Sequence, residues 1–285
     1  MNASSLEGEN EIMSDSYVLG NRKSEIERLD IQASFFEPFS RDALLKAGIG
    51  KGMNCADVGS GSGSVTRLMA QIVGTEGHVT GIDVDDNYLQ YCRTVNTFPN
   101  VRFVHQDILS PSPSPSQAKG GEFDLAFSRF MFVHLKDPKQ AVRAMKDMVR
   151  DGGTVIIQEL DHSPDSWLSH PHEESVDTLR EAFVTLVRKS GGDPLAGRKL
   201  YKMAVEESLH ASVECYAPCL MMGNEPLCSL GWRIADSLKP AILQHGVMKE
   251  SEYDKMFRDL KQLSRKKDSF VTYARFFSVI GKKSS

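Results

Sequence analysis

No apolar run in this 285-residue chain approaches the roughly 20 residues that a membrane-spanning helix needs. The first sixteen residues, MNASSLEGENEIMSDS, hold neither the basic stretch nor the apolar stretch of a secretory leader. A cytoplasmic protein with no membrane partner is therefore expected, with residues 1–16 as a disordered tail. Basic residues are not in excess either: 34 Lys and Arg face 38 Asp and Glu, a net charge of −4, which argues against a nucleic-acid binder that relies on a broad basic surface. Cysteine is scarce. Cys55, Cys92, Cys215, Cys219 and Cys228 form no disulfide framework. Cys215 and Cys219, with Cys228 and His210 nearby, could be drawn as a thiol metal site, but no second ligand pair exists, so reduced thiols and no metal are expected. There is no internal repeat. At 40% hydrophobic and 25% charged, the composition suits one large globular domain over residues 17–285.

What is present is concentrated in one third of the chain. Cys55 to Gly63, CADVGSGSG, reads as an apolar strand running into an acidic residue and a turn of alternating glycines, with a helical pattern from about Ser64 to Ile72. Glycines tolerate positive φ and remove the Cβ atoms that would keep a ligand off the backbone, and the first amides of the following helix point into the same crevice. A second strand, Gly77 to Asp83, ends on a carboxylate able to accept from both hydroxyls of a ribose. A third, Val101 to Gln106, ends at Asp107-Ile108, where a side chain and an amide could read the edge of an adenine. Phe123 to Ser128 makes a fourth, and Gly152-Gly153 precedes a fifth, Thr154 to Gln158, which closes on Glu159.

In this order the signatures DVGSGSG, GIDV, QDI, FDLAFSRFMFVHL with its following Asp-Pro, and VRDGGTVII resemble those of class I S-adenosylmethionine-dependent methyltransferases of the small-molecule, UbiE-like kind. Asp151 stands where that family commonly has proline. The resemblance covers roughly Asp57 to Glu159. It implies an α/β fold: a Rossmann-like, doubly wound, mostly parallel sheet of seven strands, with a core over 50–160. It also implies S-adenosyl-L-methionine as cofactor and transfer of a methyl group to a small-molecule acceptor by in-line displacement. Carried over from the family, Gly59, Gly61 and Gly63 approach the amino-acid end of the cofactor, with Asp57 orienting their loop. Asp83 holds the ribose, Val84 packs on the adenine, and Asp107 and Ile108 read its edge. Ser128 and Arg129 face the transferring methyl, and Arg129 could pair with the cofactor carboxylate, with an acidic substrate or with a surface carboxylate. A nicotinamide-dependent oxidoreductase is the first alternative, and a cofactor-binding scaffold that does not methylate is the second. The Asn/Asp-Pro-Pro-aromatic motif of amino-group DNA methyltransferases is absent after the fourth strand.

The flanks carry the expectations about substrate. Residues 22–47 are predicted to form two helices broken near Glu37-Pro38, since proline removes an amide and restricts its predecessor. Tyr17 and Gln32 are candidates there for the methionine end of the cofactor. The tract Ser110 to Ser116 alternates serine and proline and reads as a loop. Helices are expected over Glu173 to Lys189 and Gly197 to Glu207, and His210 to Tyr216 and Phe270 to Ile280 should be the last two strands. A helical insertion, 225–267, separated near Pro240 and Gly246, is placed to cap a pocket as a lid. For a general base the candidates are His134, Glu159 and His162, all just past strand ends, although an acceptor that is already nucleophilic needs none. The acceptor atom is not legible, and a homodimer is an open option.

Overall fold

The computed structural model describes residues 22–110 and 121–284. Tyr17 and most of the Ser-Pro tract fall outside them. The chain opens with helix α1 (Arg22–Lys46) and continues β1 (Asn54–Val58), α2 (Ser64–Val73), β2 (His78–Asp83), α3 (Asp86–Val95), β3 (Val101–His105) and β4 (Phe123–Arg129). After a short 3-10 turn, Phe132–His134, come α4 (Pro138–Met148), β5 (Val149–Asp161), β6 (Ser169–His170), α5 (Glu174–Lys189), α6 (Ala196–Glu206), β7 (Leu209–Tyr216) and β8 (Cys219–Met221). The chain ends with α7 (Leu230–Gln244), α8 (Glu250–Leu263), β9 (Phe270–Thr272) and β10 (Arg275–Lys283).

Among the described residues, seven strands form one sheet in the order β3-β2-β1-β4-β5-β10-β7. β1 to β5 are mutually parallel, and β10 runs antiparallel between β5 and β7. The expected doubly wound α/β class is the observed one. The order reverses between β1 and β4, which opens a crevice at their carboxyl ends. Apolar runs such as Cys55, Ala56 and Val58 on β1 and Leu125 to Phe127 on β4 are sealed on both faces, as strands under two helical layers must be.

Four local expectations are corrected. The N-terminal segment is one helix, with Pro38 inside it. An interior proline costs about 3 kcal/mol, but Phe36, Ser40, Ala43 and Leu44 are all fully or almost fully buried against the core, and that packing holds the helix through the break. Pro240 likewise lies within α7, where Leu238, Ala241 and Ile242 are buried on either side of it, so only the turn at Gly246 separates α7 from α8. Phe270 to Ile280 is not one strand: β9 leaves the main sheet for a second, three-stranded one in the order β6-β9-β8. The amides of Thr272 and Tyr273 bond Leu168 O and Pro218 O, edges that β-periodicity cannot reveal. Finally, β5 begins before the glycine pair rather than after it. Its register with β4 shifts between Phe123↔Val149 and Leu125↔Thr154, and Gly152, at φ 74°, falls within that irregularity.

Helices α5, α7 and α8 pack with the small sheet around their own apolar cluster, which includes Trp167, Leu179, Ile234, Tyr253, Leu260 and Tyr273. Phe36 of α1 and Phe276 of β10 belong to the same cluster and join it to the main sheet.

Candidate active site

The glycine turn after β1 is fixed from beneath. Asp57 is 2% exposed and accepts a hydrogen bond of 2.6 Å from Thr66 Oγ1 on α2, and burial pushes its pKa up to about 6. The amides of Gly59 and Ser60 donate to Ile82 O at 2.8 and 3.0 Å, tying the turn to β2. Gly59, Gly61 and Gly63 all have positive φ, at 71°, 50° and 72°. Their surroundings differ. A Cβ at Gly63 would meet Cys92 Sγ at 2.9 Å and one at Gly59 would meet Met131 Sδ at 3.0 Å, whereas one at Gly61 would meet open space. Gly63 is therefore a packing glycine as well as a turn glycine, and Gly61 is the one that faces the crevice. It follows that α2 starts without a side-chain cap, its first amides directed at the turn.

β2 and β3 bring the acidic pair alongside. Asp83 and His105 are register partners, and Gln106 N donates to Asp83 O at 3.0 Å. Asp83 accepts from Gly61 N at 2.7 Å and Asp85 N at 3.0 Å, and burial raises its pKa in spite of these bonds. Val84 next to it is 56% exposed, an apolar side chain left uncovered at the rim. Asp107 is exposed and bonds Leu109 N at 2.9 Å, while Ile108 packs on the core.

At the end of β4, Arg129 is aimed by two hydroxyls that sequence reasoning missed. Its Nη1 donates to Ser40 Oγ of α1 and its Nη2 to Ser64 Oγ at the start of α2, both at 2.9 Å. Ser40 in turn donates to Gln158 Oε1 at 2.7 Å. No carboxylate among the described residues forms an ion pair with Arg129. Burial lowers its pKa to about 10, against the more distant pull of Asp57 and Glu37. Ser128 is fully buried, with no partner for its hydroxyl. Ser64 was legible in principle as the first helical residue after the glycines, but nothing local links Ser40 to position 129.

The remaining candidates group at the ends of β4 and β5. Glu159 is fully buried and accepts from Val133 N at 2.9 Å and Leu160 N at 2.7 Å; burial pushes its pKa up to about 7. Both oxygens are thus held by amides, and the side chain anchors the 3-10 turn that ends at His134. His134 is exposed as a residue while its ring is shielded, and that burial, followed by the charge of Arg28, holds its pKa down. His162 is 5% exposed, its pKa depressed to about 3 by burial and then by His134. Gln32 is buried on α1, where its Oε1 accepts from Arg28 Nη1, and Arg28 Nε also bonds Glu25 Oε2 at 2.8 Å. Glu25, Arg28 and Gln32 share one helical face by their spacing. Among the described residues no cluster of His, Cys, Asp or Glu is arranged to hold a metal, and no helix is long and apolar enough to cross a membrane.

Comparison with known proteins agrees with this geometry. The ubiquinone biosynthesis O-methyltransferase of Bordetella avium is 31% identical over 122 residues, 43% of this chain and 48% of the relative. The demethylmenaquinone methyltransferase of Staphylococcus aureus is 28% identical over 145 residues, 50% of this chain and 58% of the relative. The chain thus spans about half the length of the curated relatives it matches. The YcgJ protein of Bacillus subtilis shares the fold with a TM-score of 0.56 at 16% identity, over 87% of this chain and 99% of that one. A family described as a methyltransferase domain matches residues 49–206, more than half of the chain, from the end of the first helix through the glycine turn to α6, and this chain belongs to that family.

Proposed function

We propose that this protein binds S-adenosyl-L-methionine in the crevice between β1 and β4 and transfers its methyl group to a small-molecule acceptor. The observation that carries the reading is Arg129: a guanidinium aimed by Ser40 and Ser64 at the uncapped start of α2, with no carboxylate of its own among the described residues. A ligand carboxylate would pair with that guanidinium, and the open side of Gly61 leaves room for its chain. Asp83 would exchange its bonds to Gly61 and Asp85 for ribose hydroxyls, and exposed Val84 would cover an adenine face. When bound, the cofactor supplies a methyl group already made electrophilic by its sulfonium.

The chain's own contribution is then positioning and proton transfer. Of the three candidate bases, His134 is the exposed one, and its neutral imidazole would accept a proton from the acceptor only where a bound ligand restores its basicity, since burial and the charge of Arg28 hold its pKa down. Glu159 acts through the turn it anchors rather than on the acceptor. Helices α7 and α8 would roof the acceptor side as a lid. The relatives named above are, by their names, an O-methyltransferase of ubiquinone biosynthesis and a methyltransferase of demethylmenaquinone, which favours a small organic acceptor over a macromolecule. A cytoplasmic setting is consistent with the exposed free thiols of Cys215 and Cys219. The open edge of β7 would be the surface of a homodimer, which light scattering would reveal.

Calorimetric titration with S-adenosylhomocysteine and with NAD tests the binding. Saturable binding of the first alone is expected, and binding of NAD alone would restore the oxidoreductase alternative. Conversion of S-adenosylmethionine to S-adenosylhomocysteine in the presence of an acceptor separates an enzyme from a scaffold.

A further inference from the structure

An open groove of about 720 Å³ runs between α5, α6, the loop after β5 and the start of β10, and neither Gly61, Asp83 nor Arg129 lines it. Strand alternation makes its floor. Phe276 is sealed in the core, and Phe277, on the opposite face of β10, is left half-buried in the groove with Val184 of α5 and Leu195 just before α6. Four arginines stand on its walls: Arg180 and Arg188 from α5, Arg198 from α6 and Arg275 at the first position of β10. Glu181, Val184 and Arg188, spaced three and four apart, lay one face of α5 along the groove.

The hydrogen bonds divide these arginines into one that is committed and three with donors to spare. Arg180 is 6% exposed, and its Nη1 and Nη2 bond Pro164 O at 2.7 Å and Glu181 Oε1 at 3.2 Å, so it fastens the loop to α5. Arg198 gives only its Nε, to Asp161 Oδ2, and Arg275 gives only its Nη2, to the carbonyl and carboxylate of Asp165. Asp165 also acts on the charge of Arg198, so both guanidiniums stand around the same loop. The exposed side chain of Arg188 makes no hydrogen bond or ion pair among the described residues.

The acids of the groove are already engaged. Asp161 is buried, with Oδ1 accepting from Ser163 N at 2.9 Å and Oδ2 from Arg198, while Asp165 and Glu181 each hold an arginine. Four guanidiniums face three carboxylates, and burial keeps His162 neutral, which leaves one positive charge in excess. Planar guanidinium forks match the two oxygens of a carboxylate. The half-buried floor of Phe277, Val184 and Leu195 matches an apolar body beside it.

We propose that this groove is a second binding site, separate from the cofactor crevice, for a singly charged organic anion whose carboxylate meets the spare donors of Arg188, Arg198 and Arg275 and whose apolar body lies on Phe277. The full chain, saturated with S-adenosylhomocysteine so that Arg129 is engaged, is titrated calorimetrically with 2-naphthoate, with 2-naphthol, and with acetate and inorganic phosphate. 2-Naphthoate should bind at least about tenfold more tightly than 2-naphthol, which has the body without the charge, and than acetate or phosphate, which have charge without the body. Arg188→Gln removes an exposed side chain that holds nothing in the fold. It should weaken 2-naphthoate about tenfold and leave both the melting temperature and the affinity for S-adenosylhomocysteine unchanged. Absent 2-naphthoate binding, a match by any of the other three probes, or undiminished binding by Arg188→Gln overturns the inference. So does 2-naphthoate binding that S-adenosylhomocysteine abolishes, since the anion then sits at Arg129. Should S-adenosylhomocysteine itself fail to bind, the methyl-transfer reading fails, and the same titrations without it, on the unaltered chain and on Arg188→Gln, still decide the groove.

Discussion

The two sides of the crevice are built differently. On the side of β1, β2 and β3, the groups that would hold a cofactor are backbone amides, three glycines and short acids, each placed by a strand end within a few residues of it. On the side beyond β4 and β5, α1, α5, the loop after β5 and the residue between β9 and β10 are joined by packed, mostly buried rings. One side depends on local chain geometry, the other on elements far apart in sequence. A binding site for a fixed ligand can be written into a turn, while one for a variable ligand is assembled from side chains on separate elements.

That contrast can be broken or sharpened by substitution. The largest expected effect belongs to Glu159, which joins the sides by anchoring the turn before His134. Its folded-state pKa, about 7, is raised above the 4.5 of an ordinary glutamate. The protonated form therefore stabilises the fold below pH 4.5, and the contribution disappears as pH rises to about 7. By linkage this amounts to roughly 3 kcal/mol. Denaturation curves across that window should show stability falling with pH, and Glu159→Gln, which mimics the neutral form, should remove most of its share of the slope. An unchanged slope in the variant would show that the carboxylate is not the titrating group.

On the cofactor side, Arg129→Ala should lower affinity for S-adenosylhomocysteine by about 2–3 kcal/mol through loss of charge-assisted hydrogen bonds. Calorimetry measures it. Asp83→Ala should cost on the order of 1.5–3 kcal/mol of the same affinity; if it does not, the ribose is held elsewhere.

The smallest effect divides the glycine turn itself. Gly63→Ala meets Cys92 Sγ at 2.9 Å and a φ of 72°, so it should destabilise the fold by about 1–2 kcal/mol. Affinity of the folded fraction should be nearly unaltered. Gly61→Val, with open space at its Cβ, should do the reverse and chiefly block the ligand, although its φ of 50° adds some strain. Thermal melts together with calorimetry on both variants distinguish these outcomes.

How much was legible follows the same division. The sheet from β1 to β5 and its polar ends could be read because each strand is a mainly apolar run, closed by an acid or a glycine in all but β4, which closes on Ser128-Arg129. Periodicity could not tell that Pro38 would be carried by buried Phe36 and Leu44, or that β9 would turn to the edges of β6 and β8, because packing and edge pairing decide both. Nor could it find Ser40 beside Arg129 across 89 positions. The three glycines look alike in sequence, and only the positions of Met131 and Cys92 separate their roles. His162 was visible as a candidate, but its sealed state depends on Phe183 of α5 as well as on Trp167 in its own loop.

Arg129, Asp83 and the open face of Gly61 are proposed together to hold S-adenosylmethionine. The most direct test is a crystal structure of the full chain grown with S-adenosylhomocysteine. The ligand carboxylate is expected on the Arg129 guanidinium and both ribose hydroxyls on Asp83. A ligand bound with its carboxylate away from Arg129, or its ribose away from Asp83, would contradict it.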